Sequence, residues 1–128
     1  MSFGWLVQPK VYAALNGVIS CDVYDIAPQV SDFPYVVIGD ELAVENGTDT
    51  TVNNLVNFTI HVWTREDSSK RAKEIQGEVF DALHLLRFTE ANYLFTENYF
   101  VSSQAPFVDA DGVTRHGVQE FKLTVERV

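Results

Sequence analysis

Two periodicities run through this chain. Over Ser68–Arg87, SSKRAKEIQGEVFDALHLLR, apolar residues recur every three or four positions. Ala72, Ile75, Val79, Ala82, Leu83 and Leu86 therefore share one face of a helix, and Lys70, Lys73, Glu74, Glu78 and Asp81 lie outside it. A helix over the whole segment would run about 30 Å, the width of a small domain. Over Leu55–Thr64, LVNFTIHVWT, the period is two. Val56, Phe58, Ile60 and Val62 alternate with Asn57, Thr59, His61 and Trp63, which predicts a strand with its first set toward the helix and its second outward. Trp63, on the outward side, needs a partner.

The remaining elements are shorter. Trp5–Leu15 predicts a first helix with Val7, Val11, Ala14 and Leu15 on one face. Pro9 fits best in its first turn, and Asn16-Gly17 closes it with Gly17 just past the end. Ser20–Asp25 reads as a short strand or extended arm, and Ala27–Phe33 as a loop. Tyr35–Leu42 is a strand whose apolar run Tyr35–Ile38 suggests burial on both faces, with Gly39 marking a bulge or a close approach. Glu45–Asn54, the most polar stretch, holds the turn signal Asn46-Gly47 and is longer than a hairpin requires. Phe88–Phe95 is a connection with strand character, and Asn98–Ser102 a strand. Phe107–Val108 and Val113–Val128 flank a hairpin turn at Asp109-Ala110-Asp111-Gly112. In the last strand Phe121, Leu123 and Val125 point one way, and Glu120, Lys122, Thr124 and Glu126 the other. The pattern is that of a small α+β domain, and 128 residues suit one domain, 1–128.

Composition narrows the partners. Eighteen acids against nine Lys and Arg give a net charge of −9, which argues against a free-standing nucleic-acid binder. It leaves room for a protein that DNA must pass without sticking. Cys21 is alone, so no disulfide framework and no thiolate metal site is expected within one chain. No apolar run is long enough for a membrane span, and MSFGWLVQPK is not a secretory signal, so the reading is a protein made in a reducing cytoplasm.

Catalytic and metal chemistry find little support. His61, His84 and His116 sit on separate elements in no metal-binding spacing. Asp109–Gly112 opens like a calcium loop, but the residue that should close it, Glu120, falls inside a strongly alternating strand, so a hairpin turn is favoured. No catalytic residue, metal ligand or cofactor is assigned. Lys70, Arg71 and Lys73 open the long helix, where the dipole prefers acids; they read first as a solvated helix start, with Asp67 or Ser68 as cap, and second as a basic patch. Phe80 lies off the apolar stripe, with Gly77 and His84 beside it at i−3 and i+4. A glycine next to an off-core Phe admits another backbone; alternatively Phe80 tucks under the Phe88–Phe95 connection.

Several stretches, taken in order, resemble one family. Val11-Tyr12-Ala13-Ala14-Leu15 is similar to the opening helix of the small siphophage tail-completion, or tail-terminator, proteins. Phe33-Pro34-Tyr35-Val36-Val37-Ile38-Gly39 resembles their first long strand, and Phe58–Arg65, FTIHVWTR, the central strand leading into the long helix. Asp111–Phe121, DGVTRHGVQEF, resembles the closing hairpin.

The resemblance implies two helices packed on a mostly antiparallel sheet, in the order α-β-β-β-α-β-β. It implies a virion protein of phages, prophages or gene transfer agents: a hexameric ring at the tail–head junction that caps the tail tube and joins it to the head connector or a head-completion protein. DNA would pass its lumen without specific binding, and no membrane is involved. The alternatives are a head-completion or neck adaptor protein of the same particle and, from another class, a small cytoplasmic enzyme or ligand-binding domain. A ring needs two different patches meeting head to tail. The candidate contacts are Gly77, Phe80 and His84, the outward face carrying Trp63, and the polar loop with Glu45, Asn46, Gly47, Thr48 and Asp49.

Overall fold

Alternation along the central strands determines the layers. The computed structural model describes residues 4–26, 32–45, 53–66, 68–90 and 92–127. Strand β3 (Asn53–Arg65) buries Val56, Phe58, Ile60 and Val62, and β6 (Thr114–Arg127) buries Phe121, Leu123 and Val125 on the same face. The two pair antiparallel from Asn53↔Glu126 to Arg65↔Thr114 without a break. Helix α2 (Lys70–Leu83) lays Ala72, Ile75, Val79 and Leu83 on that face. Helix α1 (Gly4–Leu15) adds Leu6, Val7, Val11 and Leu15, and all of these side chains form one continuous core.

Around the central pair, β2 (Tyr35–Glu45) lies antiparallel to β3, and β1 (Asp22–Tyr24) parallel to β2. On the other side β5 (Tyr93–Val108) lies antiparallel to β6, and β4 (Phe88–Glu90) antiparallel to β5. The sheet order is β1-β2-β3-β6-β5-β4, mostly antiparallel, as expected. The element order gains a strand over the one expected, because the Phe88–Phe95 connection folds into β4 and the start of β5, with Phe88 stacked on Phe95 at 4.6 Å.

Several boundaries move. Helix α2 stops at Leu83, four residues short of Arg87: His84 is already extended and Leu85 adopts φ 67°. Leu86 nevertheless packs on the core, from the turn rather than from the helix. Ser69 holds the N-cap position, while the Ser68 hydroxyl accepts from the Lys70 N–H at 3.3 Å; Asp67 lies outside the described residues. Helix α1 begins at Gly4, so Pro9 sits within it rather than in its first turn. Gly17, at φ 79°, ends it as expected. The expected separate strands Asn98–Ser102 and Phe107–Val108 are parts of β5, whose register with β6 shifts three times, between Thr96 and Tyr99, Phe100 and Ser102, and Gln104 and Phe107. Such bulges bend a strand while keeping it in the sheet, which is why residues 98–108 did not read as one alternating run.

Candidate functional site

The outward face of the sheet carries a row of rings. Register places Asp22, Tyr35, Trp63, His116 and Phe107 side by side across β1, β2, β3, β6 and β5. Trp63 stacks on His116 at 3.8 Å between centroids, and Tyr35 on Trp63 at 6.5 Å. Phe107 leans on the far side of His116 at 5.1 Å. Trp63 thus finds a stacking partner within the chain and is half-buried.

His61 lies one step along β3. Its Nδ1 is 2.8 Å from Nε2 of His116, and its Nε2 is 3.2 Å from the Thr59 hydroxyl. One ring of the pair must donate and the other accept. Burial, and next the neighbouring His61, push the His116 pKa below its ordinary value, with Asp109 opposing. Gly39 explains how His61 fits: a Cβ there would lie 2.5 Å from its Cδ2 and 2.6 Å from the Thr59 hydroxyl. The β2 register shifts between Ile38 and Glu41 at the same place, so Gly39 marks both the bulge and the close approach.

Phe80 and His84 stack at 4.7 Å, and Phe80 meets Phe100 of β5 edge-on at 5.3 Å. The Phe100 N–H donates to His84 Nδ1 at 3.4 Å, and the Gln76 side-chain amide donates to the Gln104 carbonyl at 3.3 Å. This group therefore joins α2 to the β5 edge, and Phe80 is half-buried instead of standing off the core. It packs on β5 beyond the Phe88–Phe95 connection that was the alternative expectation. Gly77 is exposed with nothing within 4 Å of an added Cβ. Glu45 ends β2 opposite Asn54, so the ends of the polar stretch are paired strand; Asn46, Gly47, Thr48 and Asp49 lie outside the described residues.

The charges at the start of α2 are partly engaged. Arg71 donates to the Ser20 hydroxyl at 2.8 Å and to its carbonyl at 3.3 Å, and Glu78 accepts from both the N–H and the hydroxyl of Ser20 at 2.7 Å. The helix is thereby tied to the α1–β1 connection, a role that sequence spacing did not signal. An open cleft beside it is lined by Arg65, Lys70 and Arg71 together with Glu66 and Glu74, a mixed set rather than a basic patch. Asp109–Gly112 is a hairpin turn: Gly112 N–H meets the Asp109 carbonyl at 2.9 Å, and Asp111 accepts from the N–H groups of Val113 and Thr114 at 2.9 and 2.8 Å. Those bonds, the Thr114 hydroxyl first, lower the Asp111 pKa to about 2.

Among the described residues, exposed apolar side chains are spread over the surface: Tyr12, Val18 and Ile26 near the end of α1 and β1, Leu85 after α2, Val101 on β5, and Phe107, Val108 and Val113 around the β5–β6 turn. These features define a small α+β protein with helices on one face of its sheet and a ring-lined opposite face. Residues 4–126 match the family described as tail completion protein gp17, and the chain belongs to that family. The tail completion protein gp17 of Bacillus phage SPP1 is 29% identical over 93 residues, covering 73% of this chain and 68% of that protein. A chain in the virion of a native gene transfer agent particle shares the fold with a TM-score of 0.73 at 21% identity, over 91% of this chain and 84% of that one. The structure of SPP1 gp17 matches with a TM-score of 0.56 at 23% identity, over 95% of this chain and 88% of its own.

Proposed function

We propose that this protein is a structural, non-enzymatic component of a phage-like virion, a tail terminator. In this reading it forms a ring, a hexamer, that caps the finished tail tube at the tail–head junction and joins it to the head connector. The observation that carries the reading is the family match across residues 4–126. The occurrence of the same fold within a gene transfer agent particle supports a place in an assembled virion. The net charge of −9 supports a lumen that repels DNA phosphate, so that the duplex passes without release of bound counterions holding it in place. Gly77, exposed and unobstructed, its neighbours Phe80 and His84, the outward face with Trp63, and the loop with Glu45, Asn46, Gly47, Thr48 and Asp49 stay candidate contacts with a neighbouring copy or with the tube.

Electron microscopy of particles assembled without the protein tests the role. Tails of uncontrolled length are the expected result. Tails of normal length that fail to attach to heads would leave only a joining role, and intact particles of normal length would overturn the proposal. Sedimentation of the purified protein tests the ring itself. Like charges repel across the subunit contact, and the Debye length falls from about 30 Å at 0.01 M to about 8 Å at physiological salt. Assembly should therefore strengthen as salt rises over that range.

A further inference from the structure

The sheet brings together two histidines that sequence spacing keeps apart. Trp63 of β3 is the register partner of His116 of β6, and His61 lies two residues before Trp63, so the two histidines are diagonal neighbours on the face away from the helices. His61 Nδ1 and His116 Nε2 face each other at 2.8 Å. Both rings are held in place. Trp63 lies flat on His116 at 3.8 Å, and Phe107 leans on it at 5.1 Å. The other nitrogen of His61, Nε2, is 3.2 Å from the Thr59 hydroxyl, and a Cβ on Gly39 would come within 2.6 Å of it. Burial, and next the neighbouring His61, keep His116 neutral to lower pH than an ordinary histidine, and neutral imidazole is the form that binds metal. A zinc–imidazole bond is about 2.0–2.1 Å long, so two of them hold their nitrogens about 3.0–3.4 Å apart, according to the angle at the ion. The facing nitrogens need only part by a few tenths of an ångström, with the rings tilting toward the ion.

We propose that His61 Nδ1 and His116 Nε2 together bind a divalent transition-metal ion of the kind imidazole favours, Zn²⁺, Ni²⁺ or Cu²⁺, which clips β3 to β6. Ca²⁺ and Mg²⁺, which take oxygen ligands, are not its class. Among the described residues no group of three or more His, Cys, Asp and Glu is arranged to hold a metal, so the site offers two ligands and binds more weakly than a closed four-ligand site. With the ion bound, both facing nitrogens present lone pairs, and each ring keeps its proton on the far nitrogen. The proton that links the two rings moves through water to the far nitrogen of its own ring, so a neutral pair releases none. On His61 that far nitrogen then donates to the Thr59 hydroxyl, which fixes the ring as an outer partner of a ligating histidine does. The site stands apart from the ring reading.

Titration of the chelator-treated full chain with ZnCl₂ tests the site, read by calorimetry, by melting temperature and by nitrogen NMR of the imidazole rings. One Zn²⁺ should bind per chain, raise the melting temperature, and shift His61 Nδ1 together with His116 Nε2, whereas MgCl₂ should do none of these. His61→Gln and His116→Gln should each weaken zinc binding by more than about tenfold, since even an outer partner of a ligand is worth that much. His84→Gln, which removes the remaining histidine, should leave it unchanged. The nitrogen shifts are read on the wild type, so the site stays testable if a variant fails to fold. No saturable binding, a shift at only one of the two nitrogens or at His84 instead, or His61→Gln and His116→Gln variants that bind as the wild type does would overturn the proposal and leave the ring reading untouched.

Discussion

The side-chain amide of Gln76 crosses over Gly117 so closely that a Cβ on Gly117 would lie 2.5 Å from its Nε2. The same nitrogen donates to the Gln104 carbonyl, on a stretch of β5 that no described strand pairs on that side. Gly117 therefore makes room for the link by which α2 closes onto the edge of the sheet.

This contact predicts a coupled pair of effects. Gly117→Ala should push the Gln76 side chain aside and break its bond to β5, costing about 1–3 kcal/mol by the loss of a bonded, largely buried amide. Gln76→Ala should remove the collision, so that Gly117→Ala costs less in that background. Chemical denaturation of the four proteins measures the coupling. Additive effects would show that Gly117 acts through something other than Gln76.

The core predicts larger losses. Ile75, Val79 and Leu83 are fully buried in the cluster that also holds Phe58, Ile60, Phe121 and Leu123, as the alternation and the helical stripe require. Leu83→Ala should cost about 2–5 kcal/mol, as buried large-to-small changes do. Leu86→Ala, at a half-buried position beyond the helix, should cost less. Equal melting temperatures for Leu83→Ala and the wild type would contradict the packing.

These core positions were legible because a strand with one buried face and a helix with one buried stripe each write their geometry into the spacing of apolar residues. The end of α2 was not legible, because Leu86 continues the stripe and periodicity cannot see that Leu85 turns to φ 67°. Bulges hid β5, since each register shift resets the alternation. The neighbours of the candidate contacts within the chain were not legible either. Phe80 and Trp63 looked unpartnered within their own elements, and their partners, Phe100 and His116, are supplied by strands distant in sequence. Gln76 gave no signal at all, because its partners are Gln104, 28 residues on, and a glycine.

The hairpin turn predicts a response to acid. Asp111 is held at a pKa of about 2 by the Thr114 hydroxyl and the N–H groups of Val113 and Thr114, with Arg65 a smaller influence. An ordinary aspartate in the unfolded chain titrates near 3.9, roughly. The contribution is therefore fully present above that value and is lost as the pH falls toward about 2. Asp111→Ala should lower the melting temperature at neutral pH, and the gap from the wild type should close below the folded value. A gap that persists unchanged in strong acid would mean that the side chain acts through packing instead of its charge.

The histidine pair makes a prediction of the same direction nearer neutral pH, and two forces compete in it. His116 lies flat on Trp63 at 3.8 Å, and a protonated ring there would gain a cation–π attraction, which favours the charged form. Against this stand burial, the larger influence, and His61, whose Nδ1 meets His116 Nε2 at 2.8 Å. If both rings were fully protonated, two donors would face each other across that contact, and the hydrogen bond could not form. Asp109 draws the pKa upward but ranks below both. The balance lowers the folded value, so the unfolded chain, titrating near 6.5, roughly, binds the proton more readily. Stability should hold above that value and fall as the pH drops below it, because protons then favour the unfolded state. His116→Gln should flatten the melting-temperature profile between about pH 7.5 and 5.5, and an NMR titration should place the His116 midpoint below that of an unstructured histidine. A midpoint above it would show that the Trp63 stacking outweighs burial, and the profile would then slope the other way.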